Sequence, residues 1–136
     1  MNPKAIISLF SILVMFFSAS FVLPIAVSLI FKDSALMIFV STFCLVFGLG
    51  LMGWLFSRGD NDELGQKDGF IIITFFWLIL AIAGSIPFAL SGMPFVDAFF
   101  ESMSGITTTG ATVISGLDSM PQSLLFYRQL LQWMGG

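Results

Sequence analysis

Four threonines and a glycine crowd into Ile106-Thr107-Thr108-Thr109-Gly110-Ala111-Thr112-Val113, the one stretch where a very apolar chain turns rich in hydroxyls. Carbonyl and hydroxyl oxygens are what it offers, so its chemistry is ion coordination rather than bond making. A row of backbone carbonyls lining a pore replaces the hydration shell of an ion. Gly110, lacking a side chain, takes backbone conformations that aim carbonyls at such an ion, and the threonines add hydroxyls. The plainer reading is a surface turn between two helices, where Thr and Gly are ordinary occupants.

The element before it decides between these. Pro94 to Gly105 reads as a short helix, with proline at its start, Asp97 in the first turn and Gly105 at its end. From Pro94 to Ser104 it is roughly 16 Å long, about half the hydrocarbon thickness of a bilayer. Such a helix enters a membrane without crossing it, and its carbonyl end, with partial negative charge, favours a cation near the midplane. Thr108 to Ala111, if extended, cover roughly 13 Å on the way back. That is a re-entrant loop, and irregular backbone at this depth is tolerated only where protein buries it or a watery path runs beside it.

At Phe99-Phe100-Glu101-Ser102-Met103-Ser104-Gly105-Ile106-Thr107-Thr108-Thr109-Gly110-Ala111-Thr112, and again at Arg128-Gln129-Leu130-Leu131-Gln132-Trp133-Met134-Gly135-Gly136, the chain resembles the Trk/Ktr/HKT superfamily of potassium transporters, in particular its Trk-type pore subunit. The resemblance implies four helix, pore-loop, helix repeats in one chain, each giving one glycine-containing filter strand. This chain supplies the first repeat, preceded by an extra helix pair, and stops within the second helix of that repeat. The implied filter residues are Thr108, Thr109, Gly110 and Ala111, with Thr107 and Thr112 at its ends. The implied setting is a bacterial-type inner membrane, with a nucleotide-binding regulatory subunit as cytoplasmic partner and K+ as the transported ion.

Composition agrees on the class. Of 136 residues, 57% are hydrophobic and 10% charged, with a mean hydropathy of +1.02, outside the range of soluble domains. Lipid is therefore a partner. The single cysteine, Cys44, leaves no internal disulfide, and the lack of histidine removes the usual general base and the commonest metal ligand. With no metal-ligand cluster and no nucleophile-base pair, the sequence predicts no enzyme and no cofactor. No basic patch suggests nucleic acid.

The expected fold is all-α and membrane-embedded: a transmembrane helical hairpin over 1–57, a cytoplasmic loop over 58–69, and an incomplete helix, re-entrant loop, helix unit over 70–136. Ala5 to Phe31 is an apolar run of about 27 residues, enough for one span despite Pro24. A cleaved signal peptide ending near Ser18-Ala19-Ser20 competes with this, but the run continues past Ser20. Lys32-Asp33-Ser34 makes a polar turn, and Ala35 to Phe56 and Phe70 to Leu90 are further spans of about 22 and 21 residues. Gly48-Leu49-Gly50-Leu51-Met52-Gly53 matches the dinucleotide fingerprint letter for letter, yet no strand precedes it, so it reads as a small-residue face for a neighbouring helix. Asp60-Asn61-Asp62 with Gly65 faintly resembles a calcium loop, but Leu64 and Ile71 stand at ligand positions. Pro121 opens a last helix of roughly 24 Å. Lys4, Arg58 and Lys67 fall on one side and Lys32 on the other, so the N-terminus is expected in the cytoplasm, with the pore loop dipping in from outside.

Three charges lie in the two helices that flank the Thr-Gly stretch. Asp97 is a first-turn acid, Glu101 sits in the short helix in a structural role, and Arg128 snorkels or pairs with an acid. Two rival readings stay open: a small subunit assembling as a homotetrameric cation channel, and a non-conducting membrane protein packing against a partner through its glycine face. The second makes the Thr-Gly segment replaceable.

Overall fold

The computed structural model describes residues 3–59 and 63–136; the Asp60-Asn61-Asp62 stretch, and with it the calcium-loop reading, lies outside them. Helices α1 (Pro3–Ser18), α2 (Val22–Phe31), α3 (Leu36–Ser57), α4 (Gln66–Leu90), α5 (Phe95–Ile106) and α6 (Gln122–Gly135) follow one another, with short 3₁₀ turns at Ala19–Phe21 and Leu117–Ser119. No strand occurs among the described residues. Three helical stretches, Pro3–Phe31, Leu36–Ser57 and Gln66–Leu90, are long and apolar enough to cross a membrane. In their most apolar windows only 28, 22 and 28% of residues are buried within the chain. The remaining faces are greasy and open, as lipid or further membrane helices require.

The first span is not one uninterrupted α-helix. Pro24 has no N–H to give the carbonyl of Ser20, and its ring crowds that carbonyl, so the helix tightens to a 3₁₀ turn over Ala19–Phe21. Two hydroxyls bond back to carbonyls of the preceding turn: Ser18 Oγ donates to Met15 O at 2.5 Å and Ser20 Oγ to Phe17 O at 2.6 Å.

Part of the glycine face in α3 does what its residue sizes suggest. A Cβ on Gly50 would lie 2.6 Å from Met15 Cγ and 3.1 Å from the Ser11 carbonyl, and one on Gly53 would overlap the Ser11 hydroxyl. Gly48 faces open space. Of the three glycines, Gly50 and Gly53 lie in the α1–α3 seam and Gly48 does not.

Helix α4 begins at Gln66, earlier than hydropathy suggests, because Asp68 accepts from Gly65 N at 3.1 Å while Asp68 N donates to Gly65 O at 3.1 Å. This reciprocal cap starts the helix inside the polar segment. On the far side, Tyr127 of α6 is fully buried among Phe21, Phe39 and Phe88, at centroid distances of 5.7, 5.4 and 5.4 Å. Its hydroxyl donates to Gly84 O at 2.8 Å, so the polar tip of this core ring is paired. Asp33, in the turn after α2, accepts from Ser28 Oγ, from Ala35 N at 3.1 Å and from Ser123 N at 2.9 Å. The last bond links the hairpin to the start of α6.

Candidate ion-coordinating strand

Helix α5 is the short helix of the sequence, and its far end lies inside the bundle. A Cβ on Gly84 of α4 would sit 3.5 Å from Ile106 Cδ1, and Gly84 is six residues, or about 9 Å, inward from the end of α4 at Leu90. Helix α6 descends to the same depth. Gly135 lies so close to the Ile106 carbonyl that a Cβ there would overlap it. Gly105 does not end α5, which runs on to Ile106. Its bare Cα instead admits Leu131, whose Cβ would be 3.0 Å from an added methyl.

From Thr107 the chain climbs back along α5. Ser104 Oγ donates to Ala111 O at 2.6 Å, and Glu101, one turn nearer the helix start, meets Thr112, Val113 and Ile114. Val113, Ile114 and Ser115 then share a shallow cleft with Asp97. The pairing order fixes a return antiparallel to the helix, which is the re-entrant path.

The return is not simply extended. Thr108 has φ of 57° and Gly110 φ of 78°, both left-handed. For Gly110 that conformation is free of Cβ strain, and a Cβ built there meets nothing within 4 Å. For Thr108, β-branched, the same sign of φ is unusual and is held by its surroundings. Those surroundings are the last carbonyls of α5. Thr107 N donates to Met103 O at 2.9 Å, Thr108 N to Gly105 O at 3.0 Å, Thr109 N to Ser104 O at 2.9 Å and Gly110 N to Ser104 O at 3.4 Å. The helix end is thus capped by the strand rather than left bare toward a cation, which corrects the simple dipole expectation.

This capping makes the backbone lopsided. Four consecutive N–H groups turn toward the helix, while the carbonyls of Thr108, Thr109 and Gly110 accept no hydrogen bond among the described residues. All residues from Thr107 to Val113 are exposed. The Ala111 carbonyl is held by Ser104 and keeps its second lone pair. The hydroxyls are occupied locally: Thr107 Oγ1 bonds Met103 O at 2.7 Å and Thr109 Oγ1 at 2.9 Å, and Thr108 Oγ1 bonds Thr107 O at 2.7 Å. Thr112 Oγ1 donates to Glu101 at 2.5 Å. The free oxygens are therefore carbonyls, and the threonine side chains tie the turn.

Glu101 is 4% exposed and Arg128 9%; they pair at 3.3 Å, Nε to Oε2. Of the two options open to Arg128 from sequence, pairing is the one realised. Ser104 and Gly135 were not singled out by residue pattern, and neither was the left-handed backbone of Thr108. Only the S-G and M-G-G spacing hinted at close backbone approach. No group of three or more His, Cys, Asp or Glu able to hold a metal occurs among the described residues.

Three apolar spans followed by a half-length helix, an irregular return strand with unpaired carbonyls and a second helix reaching the same depth give the architecture of a multi-pass membrane protein. Residues 34–136 match the family model described as "Cation transport protein". The chain belongs to this TrkH family, whose members are transport proteins rather than enzymes. It is 45% identical over its full length to the Trk system potassium uptake protein TrkH of Escherichia coli strain K12, covering 29% of that protein. It is 39% identical over 91% of its length to TrkG of the same strain, covering 26%. The crystal structure of the potassium transporter TrkH from Vibrio parahaemolyticus superposes with a TM-score of 0.94 at 44% identity, over 99% of this chain and 30% of that one. The chain thus spans less than a third of the relatives it matches.

Proposed function

We propose that this chain builds the first filter strand of a potassium uptake pore, the ion passing dehydrated along the carbonyls of Thr108, Thr109, Gly110 and Ala111, with Thr107 and Thr112 at the ends. The supporting observation is the lopsided backbone: N–H groups face the helix, and the carbonyls of Thr108, Thr109 and Gly110 accept no hydrogen bond among the described residues. Unpaired carbonyls in hydrocarbon are too costly to persist, so they need an ion path and further strands around it. Those strands come from the rest of a pore subunit like the E. coli relative, a potassium uptake protein. In this reading residues 1–57 are a supporting hairpin, 58–69 a cytoplasmic loop and 70–136 the pore repeat, in a bacterial-type inner membrane. A nucleotide-binding subunit is the cytoplasmic partner by family resemblance.

The test exchanges this segment for the matching one of the E. coli relative and measures rubidium and sodium uptake in potassium-uptake-deficient cells. Gly110→Ser places a Cβ on a left-handed residue and a hydroxyl beside the path, at a strain of roughly 1–3 kcal/mol. The expected result is a rubidium-to-sodium ratio lowered about tenfold at unchanged abundance; a wild-type ratio returns the segment to a surface turn. Orientation is checked in the same chimera with Cys44→Ser. Ser34→Cys reacts with an impermeant thiol reagent from outside and Glu63→Cys does not, and the reverse pattern overturns the cytoplasmic N-terminus.

A further inference from the structure

Hydrogen bonding at the outer end of the strand runs through one side chain. Glu101 Oε1 accepts from Thr112 Oγ1 at 2.5 Å, Val113 N at 2.7 Å and Ile114 N at 3.3 Å, while Oε2 faces Arg128 Nε at 3.3 Å. The donors are the two residues after Ala111 and the one beyond, so one carboxylate oxygen sets where the strand leaves its carbonyl row. The inner end is set by the carbonyls of Met103, Ser104 and Gly105. Between these anchors, among the described residues, the helix side chain that hydrogen-bonds the strand backbone is Ser104, whose Oγ donates to Ala111 O.

We propose that Glu101 is a positioning residue for ion selectivity: its carboxylate, aimed by Arg128 of α6, fixes the height and rotation of the strand that carries the free carbonyls. This rests on the filter reading above and goes beyond it, since both oxygens of Glu101 are engaged by the strand and by Arg128. Mere stability is a different role for the same pair. Stability needs Glu101 to be paired at all, whereas positioning needs it to reach three specific donors. Charge-assisted hydrogen bonds are short and directional, which suits holding a backbone to a fraction of an ångström. In a ring of carbonyls, a shift of that size alters which ion the ring fits. Arg128 belongs to the helix after the strand, so movement of α6 is transmitted to the outer end of the filter through a single ion pair.

The experiment uses the chimera and reads the rubidium-to-sodium uptake ratio, which does not depend on how much protein reaches the membrane, beside abundance by immunoblot. Glu101→Gln keeps the shape but turns an amide toward Arg128, and the ratio is expected to fall about tenfold. Thr112→Val removes one donor to Glu101 together with the hydroxyl that accepts from Ile114 N at 3.0 Å, and leaves the ion pair intact, with an expected fall of about threefold. Lower abundance with an unchanged ratio in the surviving protein reduces Glu101 to a stabilising residue and overturns the proposal. If Glu101→Gln yields no protein, Thr112→Val decides alone, an unchanged ratio again overturning it. Should Gly110→Ser shift the ratio while both of these leave it intact, the filter stands and the positioning role falls. Should none of the three shift it, both fall.

Discussion

The α1–α3 seam and the α5–strand–α6 junction both depend on close approach, but they are held in opposite ways. In the hairpin, Gly50 and Gly53 let α1 lie against α3 with Ser11 and Met15 filling the space, and hardly a polar bond crosses between the helices. At the junction, Gly135 brings α6 onto the Ile106 carbonyl, and around that contact the freed amides, the Ser104 hydroxyl and the Glu101–Arg128 charges are paired, with the buried Ser102 hydroxyl left unpaired. The difference follows from the backbone. Where α1 meets α3 the backbone groups pair along their own helices, and lipid tails are as apolar as leucine, so shape chooses the neighbour. At the junction the chain leaves the helix inside the membrane, and each freed N–H needs an acceptor. Shape specifies the first region; hydrogen-bond bookkeeping specifies the second.

The sharpest way to break this contrast is Gly135→Ala. The added methyl collides with backbone rather than a flexible side chain, so α6 must move, at a cost on the order of 3 kcal/mol. The chimera is expected to lose most of its uptake and to melt earlier in detergent; unchanged melting would mean the junction tolerates displacement and is not tightly held.

The hairpin is tested by a pair of substitutions. Gly50→Ala meets Ser11 O and Met15 N at 3.1 and 3.2 Å and is expected to destabilise by about 1–2 kcal/mol. Gly48→Ala, two residues away in open space, is expected to be neutral or slightly stabilising through helix propensity. Equal effects in thermal unfolding would remove the shape-only account of the seam.

The smallest effect is expected at Asp33, which joins the two regions. Burial by itself raises its pKa, but hydrogen bonds from Ser28, Ser123 and Ala35 outweigh this and leave it below the ordinary 3.8. A depressed carboxylate stabilises the fold at pH above its unfolded value, and that contribution fades as the pH falls from 3.8 through the lower folded value. Asp33→Asn should therefore cost about 1 kcal/mol at neutral pH, with the gap to the unchanged chain closing only under strongly acidic conditions. A gap that persists there would assign the loss to packing instead of charge.

Much of this was legible in residue types. Hydropathy located the three spans, the half-length of the segment after Pro94 predicted re-entry, and threonines beside a glycine marked where regular helix stops. These are properties of adjacent residues, and the apolar environment they imply acts on each stretch separately. What only the tertiary structure decided is the direction in which groups face. Nothing in the letters gives Thr108 a left-handed backbone, because that angle is imposed by the end of α5 pulling on its N–H. Glu101 and Arg128 are 27 positions apart and Asp33 and Ser123 are 90 apart. Gly135 has meaning only because Ile106 ends beneath it. Hydrophobic length is a local sum that a sequence displays directly, whereas the partner of a freed donor is whichever acceptor the folded chain brings within 3 Å or so.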